Sequence, residues 1–443
     1  MTEILEKAQS MLEKYPLCDH CLGRQFALLG YGLNDQKRGE TIKLLLTMKG
    51  HQQALSGEKE GVRLLKVVAT NGSLDMSAEI LKKMKKRIGE KKECYLCGGR
   101  FKLLPELINT SLERIKNYEF NTFLVGVELP AEVEEKEDEF KAEFGAKHGE
   151  NMRNELSRDV GKAISEIIKK EADYKKPDIV VIINPFSRQV AIRSNPLYIA
   201  GRYRKTMRGI PQSEWICRAC GGKGCSRCNG TGKMYPESVE ELIGKPVLEL
   251  VSGEDISFHA AGREDIDVRM LGRGRPFVIE VKKPRRRFIE LKDLSKTINT
   301  RALGKVKVSN LRFANKDMIR KLKKAEASEK LYKAVVKFDR SVSDEELKTL
   351  QATLSNATIR QQTPKRVLHR RADRVREKHI YMATIKRLAL DRAEIGIRCQ
   401  GGLYIKELIT GDGGRTDPSV AKILQVEATP LKLDVLSVIM KGL

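Results

Sequence analysis

Eight of the nine cysteines in this 443-residue chain stand in pairs separated by two residues. Two thiolates that leave one tight turn fill two of the four tetrahedral positions around a zinc ion. Neighbouring glycines permit the turns that such a loop needs. Because cysteines stay reduced inside cells, we interpret these pairs as metal ligands. They are Cys18, Cys21, Cys94, Cys97, Cys217, Cys220, Cys225 and Cys228.

The spacing of the pairs predicts one or two structural zinc ions. The run CRACGGKGCSRCNGTG holds four cysteines close together and is the stronger signal, although an iron–sulfur cluster also accepts four cysteines. The pairs at 18–21 and 94–97 lie far apart, so two unrelated reduced pairs, a redox dithiol or crossed pairings are alternatives. A closed four-cysteine site leaves no position for a substrate, so both sites are expected to be structural. Cys399 stands alone in an apolar run and is expected to be buried.

Three segments near the C-terminus carry side chains suited to catalysis. In HAAGREDIDVRMLG, Asp265 is flanked by Arg263 and Arg269, whose positive charge would hold a carboxylate ionised. Tyr332 opens the strand LYKAVVKFD, and Lys406 follows a glycine pair in GGLYIKELI. Taken singly, these residues are typical of a surface turn, a packing residue and a solvated charge.

The elements that position these residues alternate between helices and strands, which predicts an α+β fold. Helices are expected over 3–14, 315–326 and 343–350, and the segment around Lys406 is expected to be a strand. The C-terminal part should contain a large, mostly antiparallel sheet. The predicted parts are a metal-binding module over 1–110, an α+β domain over 111–205, a basic connector with the second cysteine quartet over 206–236, and a catalytic domain over 237–443.

The charge of the chain favours a polyanionic partner. Lys and Arg total 84 and Asp and Glu total 59, for a net charge of +25. A salt-adapted or thermophilic surface is the alternative, but it would be closer to balance. No stretch is long and apolar enough to span a membrane, and the N-terminus lacks a signal-peptide pattern. We therefore expect a cytoplasmic protein. We also expect it to be a monomer.

Basic runs mark where a nucleic acid would bind. They lie in the connector, after the strand at GRPF, and in TPKRVLHRRADRVR. The candidate RNA contacts in these runs are Arg202, Arg204, Lys205, Arg285, Arg286, Arg287, Arg366, Arg370 and Arg371. Arg263 and Arg269, on either side of Asp265, are further candidates that either bind phosphate or support the loop.

In their order along the chain, the three catalytic segments resemble those of pseudouridine synthases. Together with CDHCLGRQF, CYLCGG, NPLYIAGRYRK, TPKRVLHRRADRVR and GDGGRTDPSV, they make nearly the whole chain similar to the Pus-ten (Pus10) family of tRNA pseudouridine synthases. The resemblance implies an N-terminal zinc and THUMP-containing RNA-binding domain followed by a synthase domain. It also implies isomerisation of the T-arm uridines 54 and 55 of tRNA, without an organic cofactor.

The same resemblance implies the roles of three residues. Asp265 is expected to be the essential carboxylate, Tyr332 to stack on the target base, and Lys406 to pair with Asp265. Lys stands where other synthases have Arg, so the pairing should be less fixed in geometry, because an ammonium is a point charge. Asp267 is the rival for the role of Asp265.

Two other classes of function compete with this interpretation. The first is a non-catalytic adapter or chaperone that binds RNA through THUMP-like and zinc parts, against which the intact Asp, Tyr and Lys set argues. The second is another THUMP-bearing tRNA modifier, such as a methyltransferase or a thiouridine synthase. Those enzymes need a glycine-rich cofactor loop or a phosphate-binding loop with a reactive cysteine, and the sequence shows neither.

Overall fold

In the first part of the chain, apolar side chains recur every third or fourth residue and form helices with one buried face. Ala8, Met11 and Leu12 are fully buried on the first helix, which confirms the predicted helix over 3–14. The structure is a computed structural model that describes residues 2–324 and 328–439, without the side chains of Thr2 and Arg370.

Helices and short strands make up the first unit of the chain, Met1–Asn195. The helices are α1 (Thr2–Lys14), α2 (Asp19–Gly23), α3 (Asp35–Leu55), α4 (Lys59–Thr70), α5 (Asp75–Lys83), α6 (Leu104–Ile115), α7 (Ala131–Phe144) and α8 (Met152–Ile168). The strands are β1 (Thr122–Val127), β2 (Glu171–Ala172), β3 (Ile179–Asn184) and β4 (Gln189–Ser194).

One sheet and one main core organise this unit. Within the described residues, the sheet has the order β2-β1-β3-β4, with β1 parallel to β2 and β3, and β4 antiparallel to β3. The core runs without a break from Met11 and Cys97 to Ile164 and Val190. The predicted boundary at 110 therefore does not separate two cores.

A second unit, Pro196–Leu443, is built on a much larger sheet. Its strands are β5 (Leu197–Lys205), β6 (Asp255–Ala260), β7 (Arg269–Lys282), β8 (Val306–Ala314), β9 (Lys330–Phe338), β10 (Thr358–Gln362), β11 (Val375–Ala389), β12 (Arg392–Cys399), β13 (Thr416–Asp417) and β14 (Ala428–Val438). Its helices are α9 (Val239–Val251), α10 (Leu291–Arg301), α11 (Lys316–Lys324), α12 (Asp344–Leu354), α13 (Ile405–Thr410) and α14 (Val420–Leu424).

The large sheet confirms the prediction of a mostly antiparallel arrangement. In the described part of the chain, its order is β13-β10-β11-β12-β9-β14-β7-β5-β8, with β6 paired to β7. The pairing of β14 with β7 is parallel, and the other pairings are antiparallel. Cys399 is fully buried, as expected.

Besides the boundary at 110, the structure differs from the sequence-based expectations at two more places. The predicted strand around Lys406 is wrong, because residues 405–410 form α13. Ile405, Leu408 and Ile409 are buried at helical spacing, and a short apolar run is equally compatible with a strand. The second unit also begins before the predicted boundary at 205, because β5 pairs with β7 and β8. None of the described helices has the length and apolar content needed to cross a bilayer.

Candidate active site and cysteine clusters

A cleft of about 1010 Å³ opens in the second unit beside the loop that joins β6 to β7. Asp265 on that loop, Tyr332 on β9 and Lys406 on α13 all line it. The sheet brings the loop and Tyr332 together, because β14 lies between β7 and β9 and pairs with both. The three residues expected to be catalytic therefore share one cleft.

The loop that carries Asp265 is anchored by its neighbour Glu264. The Glu264 side chain is fully buried and accepts hydrogen bonds from the Tyr203 hydroxyl at 2.9 Å and from Arg275 Nε at 2.8 Å. Gly262 has φ +81°, and a Cβ there would lie 3.1 Å from Arg275 Nη1, so a larger residue would strain the turn. Both residues line the cleft, and Glu264 is fully buried there whereas Asp265 is partly exposed.

Lys205 holds the backbone of the same loop. Its side chain is fully buried, and Nζ donates to the carbonyls of Ile210 at 2.8 Å, Asp265 at 3.1 Å and Ile266 at 3.2 Å. Arg208 Nη1 donates to the Asp267 carbonyl at 2.6 Å. The prediction that Lys205 contacts RNA is therefore wrong, because the ammonium is enclosed and its three donors already have partners.

Two cations approach the carboxylate of Asp265. Arg366 Nη1 lies 3.1 Å from Oδ2 and Lys406 Nζ lies 3.4 Å from the same atom. Arg366 is held in turn by the buried Glu407, whose Oε1 accepts from Arg366 Nε at 2.5 Å. The basic run that contains Arg366 predicted RNA binding and did not reveal this contact with Asp265. Glu407 is the sequence signal that could have revealed the contact. It is a carboxylate beside Lys406 in an apolar segment, and a carboxylate buried there needs a cation as its partner.

Lys406 lies closer to Asp267 than to Asp265. Its Nζ is 2.8 Å from Oδ1 and 2.7 Å from Oδ2 of Asp267. Partial burial would raise the pKa of Asp267, but the contacts with Lys406 outweigh it and lower that pKa below its usual value. The ammonium thus bridges the two carboxylates, and its contacts with Asp267 are the shorter ones.

Burial and rigid neighbours define the rest of the cleft. Burial raises the pKa of Tyr332, so its phenol stays protonated and offers an apolar ring. Tyr404 precedes α13 and is fixed by Gln361, which donates to its carbonyl at 3.0 Å and accepts from its amide at 2.8 Å. This clamp holds the start of the helix that presents Lys406.

Several candidate RNA contacts are occupied inside the protein. Arg202 donates to the carbonyls of Arg273, Gly274 and Val438, and Arg269 pairs with both oxygens of Asp434 at 2.9 and 2.7 Å. These partners use the guanidinium donors that would bind a phosphate, so both arginines support the fold.

The remaining candidates divide by exposure. Arg285 and Arg286 are exposed, whereas Arg287 is only 8% exposed, so the prediction that Arg287 contacts RNA is wrong. Arg371 lines the cleft and donates to the Tyr404 hydroxyl at 3.0 Å. The side chain of Arg370 lies outside the described ones. The candidates at exposed or partly exposed positions, for which RNA contact stays a prediction, are Arg204, Arg263, Arg285, Arg286 and Arg371.

The four cysteines of the first unit converge, which selects one of the arrangements that the sequence left open. The sulfurs of Cys18, Cys21, Cys94 and Cys97 lie within 4.8 Å of one another. Cys18 Sγ is 3.6 Å from Cys97 Sγ, and zinc–sulfur bonds of about 2.3 Å in a tetrahedron place sulfurs about 3.8 Å apart. The buried Arg24 lies 3.5 Å from Cys21 Sγ and pairs with Glu155 at 2.7 Å. This donor set fits a zinc ion.

The second cluster meets the same test in the second unit. Cys217, Cys220, Cys225 and Cys228 have Sγ–Sγ distances of 3.9, 3.8 and 3.7 Å for the pairs 217–225, 220–228 and 225–228. Backbone amides point at the sulfurs, since Gly232 N donates to Cys228 Sγ at 3.2 Å. Donation of this kind stabilises thiolates, so the set is suited to zinc.

Comparisons with known proteins match both units. The family model "Pus10, C-terminal" matches residues 198–439, and "Pus10 THUMP domain, archaeal" matches residues 108–184. The tRNA pseudouridine synthase Pus10 of Methanothrix thermoacetophila is 42% identical over 439 residues, which are 99% of this chain and 95% of that protein. The protein of the same name from Methanocaldococcus jannaschii is 44% identical over 97% of this chain and 93% of its own. Among solved structures, a crystal structure of a Cbf5–Nop10–Gar1 complex has a TM-score of 0.28 and 16% identity, covering 44% of each chain.

Proposed function

Because the chain belongs to the Pus10 family of tRNA pseudouridine synthases, we propose that its cleft isomerises uridines 54 and 55 in the T arm of tRNA, with Asp265 as the catalytic carboxylate. The THUMP domain and the synthase domain expected from sequence are confirmed. The activity is that of a tRNA pseudouridine synthase. The two tRNA positions and the roles of the side chains are the proposal.

The observation that supports these roles is the pair of cations on Asp265. Arg366 and Lys406 lie 3.1 and 3.4 Å from one carboxylate oxygen, in a cleft that Tyr332 also lines. Both cations stabilise the negative charge of the carboxylate and hold its position, and a partly enclosed cleft strengthens these contacts relative to open water. Asp265 is 37% exposed, so a substrate can reach it.

The reaction needs a base or nucleophile at the sugar and a surface for the uracil. The N1–C1′ bond breaks, the uracil rotates, and C5 bonds to C1′. C5 then loses its proton, and N1 gains one. In one route the carboxylate of Asp265 attacks C1′ to form a sugar ester, and C5 later displaces it. In the other it removes the proton on C2′ to form a glycal, and the proton returns to C2′ when C5 bonds to C1′. Tyr332 stacks on the uracil after it has left the RNA stack. No step is an oxidation or a reduction.

The test compares the two neighbouring aspartates. Asp265→Ala should reduce pseudouridine at positions 54 and 55 of an unmodified tRNA transcript to background, with tRNA affinity nearly unchanged. Asp267→Ala is the matched control and should retain measurable turnover, because it removes a partner of Lys406 and leaves Asp265 in place. Full activity of Asp265→Ala, or loss confined to Asp267→Ala, would refute the assignment.

We also propose that each cysteine cluster holds one structural zinc ion. Each cluster offers four cysteine sulfurs, which would fill all four coordination positions of a zinc ion and leave none for a substrate. The ions would supply folding free energy, and no step of the isomerisation passes through them.

A further inference from the structure

Besides Tyr332 and Tyr404, the cleft is lined by a third aromatic side chain that the mechanism above does not use. Trp215 is the only tryptophan in the chain, and it lines the same cleft as Asp265 and Tyr332. It lies two residues before Cys217, the first ligand of the second cysteine cluster. The connector that carries this cluster therefore contributes directly to the cleft.

The backbone around Trp215 is held without any help from RNA. Met234 N donates to the Trp215 carbonyl at 2.8 Å, and Cys217 N donates to the Gly232 carbonyl at 2.8 Å. The indole and the Tyr235 ring make an edge-to-face contact, with ring centroids 5.6 Å apart and planes at 81°. An aromatic ring fixed in this way loses little conformational freedom when a ligand stacks on it.

Arg263 places an exposed guanidinium beside the Trp215 ring. Its guanidinium carbon lies 5.4 Å from the centroid of the Trp215 ring. Arg263 is exposed, and among the described side chains no carboxylate pairs with it, whereas Arg269 and Arg366 are both paired. Arg263 lines the same cleft and lies two residues before Asp265 in the chain.

We propose that Trp215 and Arg263 form a nucleotide-binding platform for the residue next to the target uridine. Extruding a uridine leaves the adjacent base without its stacking partner, and the indole of Trp215 replaces that partner. Arg263 binds the phosphate of the same nucleotide. The inference rests on the proposed function and adds a substrate-positioning site to it.

The single tryptophan allows a direct binding test. Asp265→Ala protein with both metal sites loaded is titrated with an unmodified T-arm stem–loop RNA, and tryptophan emission is recorded together with a gel-shift isotherm. We expect saturable quenching that follows the binding isotherm, and weaker quenching by a stem–loop in which the neighbours of the target uridine are abasic. Saturable binding without a change in emission would overturn the proposal.

Kinetics separate positioning from a merely structural role. Stacking of one base is worth about 5- to 150-fold in affinity, so Trp215→Ala should raise KM by that factor with a much smaller effect on kcat. Trp215→Phe should recover most of the affinity, and Arg263→Ala should raise KM and reduce its salt dependence. A loss of kcat with unchanged KM in Trp215→Ala would show that the ring only supports the cleft, and would refute the platform.

A matched control exists in the same unit. Tyr381 forms a similar pair with Arg398, whose guanidinium lies 5.7 Å from its ring, but Tyr381 does not line the cleft. Tyr381→Ala should leave KM unchanged, and an equal rise in both alanine variants would count against a specific platform. If the wild-type protein left both T-arm uridines unmodified, the proposed function would fail, while the fluorescence titration would still decide whether Trp215 meets the RNA.

Discussion

Replacing Lys205 with methionine tests how the loop carrying Asp265 is held. The change keeps the length of the side chain and removes an ammonium that donates to three carbonyls. The Asp265 carbonyl keeps the Val268 amide at 3.1 Å, and the Ile266 carbonyl keeps the Gly209 amide at 3.0 Å. Among the described residues, the Ile210 carbonyl has no other protein donor.

The magnitude follows from these partners. One buried carbonyl left without a donor costs about 1–3 kcal/mol of stability. The loop would also shift, and a misplacement of about 1 Å at a reacting group costs on the order of 100-fold in rate. We therefore expect kcat to fall about 10- to 100-fold in Lys205→Met. KM should change little, because Lys205 is fully buried and cannot touch RNA.

The pH profile gives the same prediction a second readout. Burial lowers the pKa of Lys205 from its ordinary value of 10.5 to about 8. Above pH 8 the ammonium loses a proton and one of its three donors, so wild-type kcat should fall in that range. In the unfolded chain this lysine holds its proton up to about pH 10.5. The unfolded state therefore binds more protons between pH 8 and 10.5, and this group makes the fold more stable as pH rises, so the loss of activity is not unfolding.

The assay is tritium release from C5 of labelled tRNA, measured from pH 6 to pH 9.5 on the wild type, Lys205→Met and Lys205→Arg. Lys205→Arg stays charged across this range and should lose the alkaline decline. A methionine variant with wild-type kcat and the same alkaline decline would refute the reasoning.

Three further predictions concern charge and metal. In a double-mutant cycle, Arg366→Ala and Lys406→Ala should each lower kcat. The double variant should lose less than the product of the two factors, because both cations act on Asp265, and independent effects would contradict a shared role. Elemental analysis should find two zinc ions per chain, and Cys97→Ser and Cys228→Ser should each remove one of them. Cys97→Ser should also lower the melting midpoint, and a metal-free wild-type protein that melts at the same temperature would contradict structural zinc. Affinity for tRNA should fall steeply between 50 and 200 mM salt, and a flat response would contradict the role of the basic runs as phosphate contacts.

Local patterns in the sequence were sufficient for much of this description. The two-residue spacing of the cysteines predicted each pair as two metal ligands, because ligands on one turn are fixed by the turn itself. The tertiary structure decided that Cys18 and Cys21 meet Cys94 and Cys97. Apolar repeats predicted α1, α11 and α12, since a helix buries one face at a set period. The segments around Asp265, Tyr332 and Lys406 identified three residues that share one cleft.

Contacts between distant segments were decided only by the tertiary structure. Arg366 reaches Asp265, and Lys205 lies under the catalytic loop, although both belong to runs that predicted RNA binding. A basic run does not reveal which of its members turn inward, because that depends on the strand pairings and loops around each one. The same limit applies to Lys406, whose short apolar segment fits a strand or a helix until Gly402, at φ +95°, and the clamp on Tyr404 select the helix. Spacing along the chain therefore determined the kinds of groups in the site, and packing of the large sheet determined which cation meets which carboxylate.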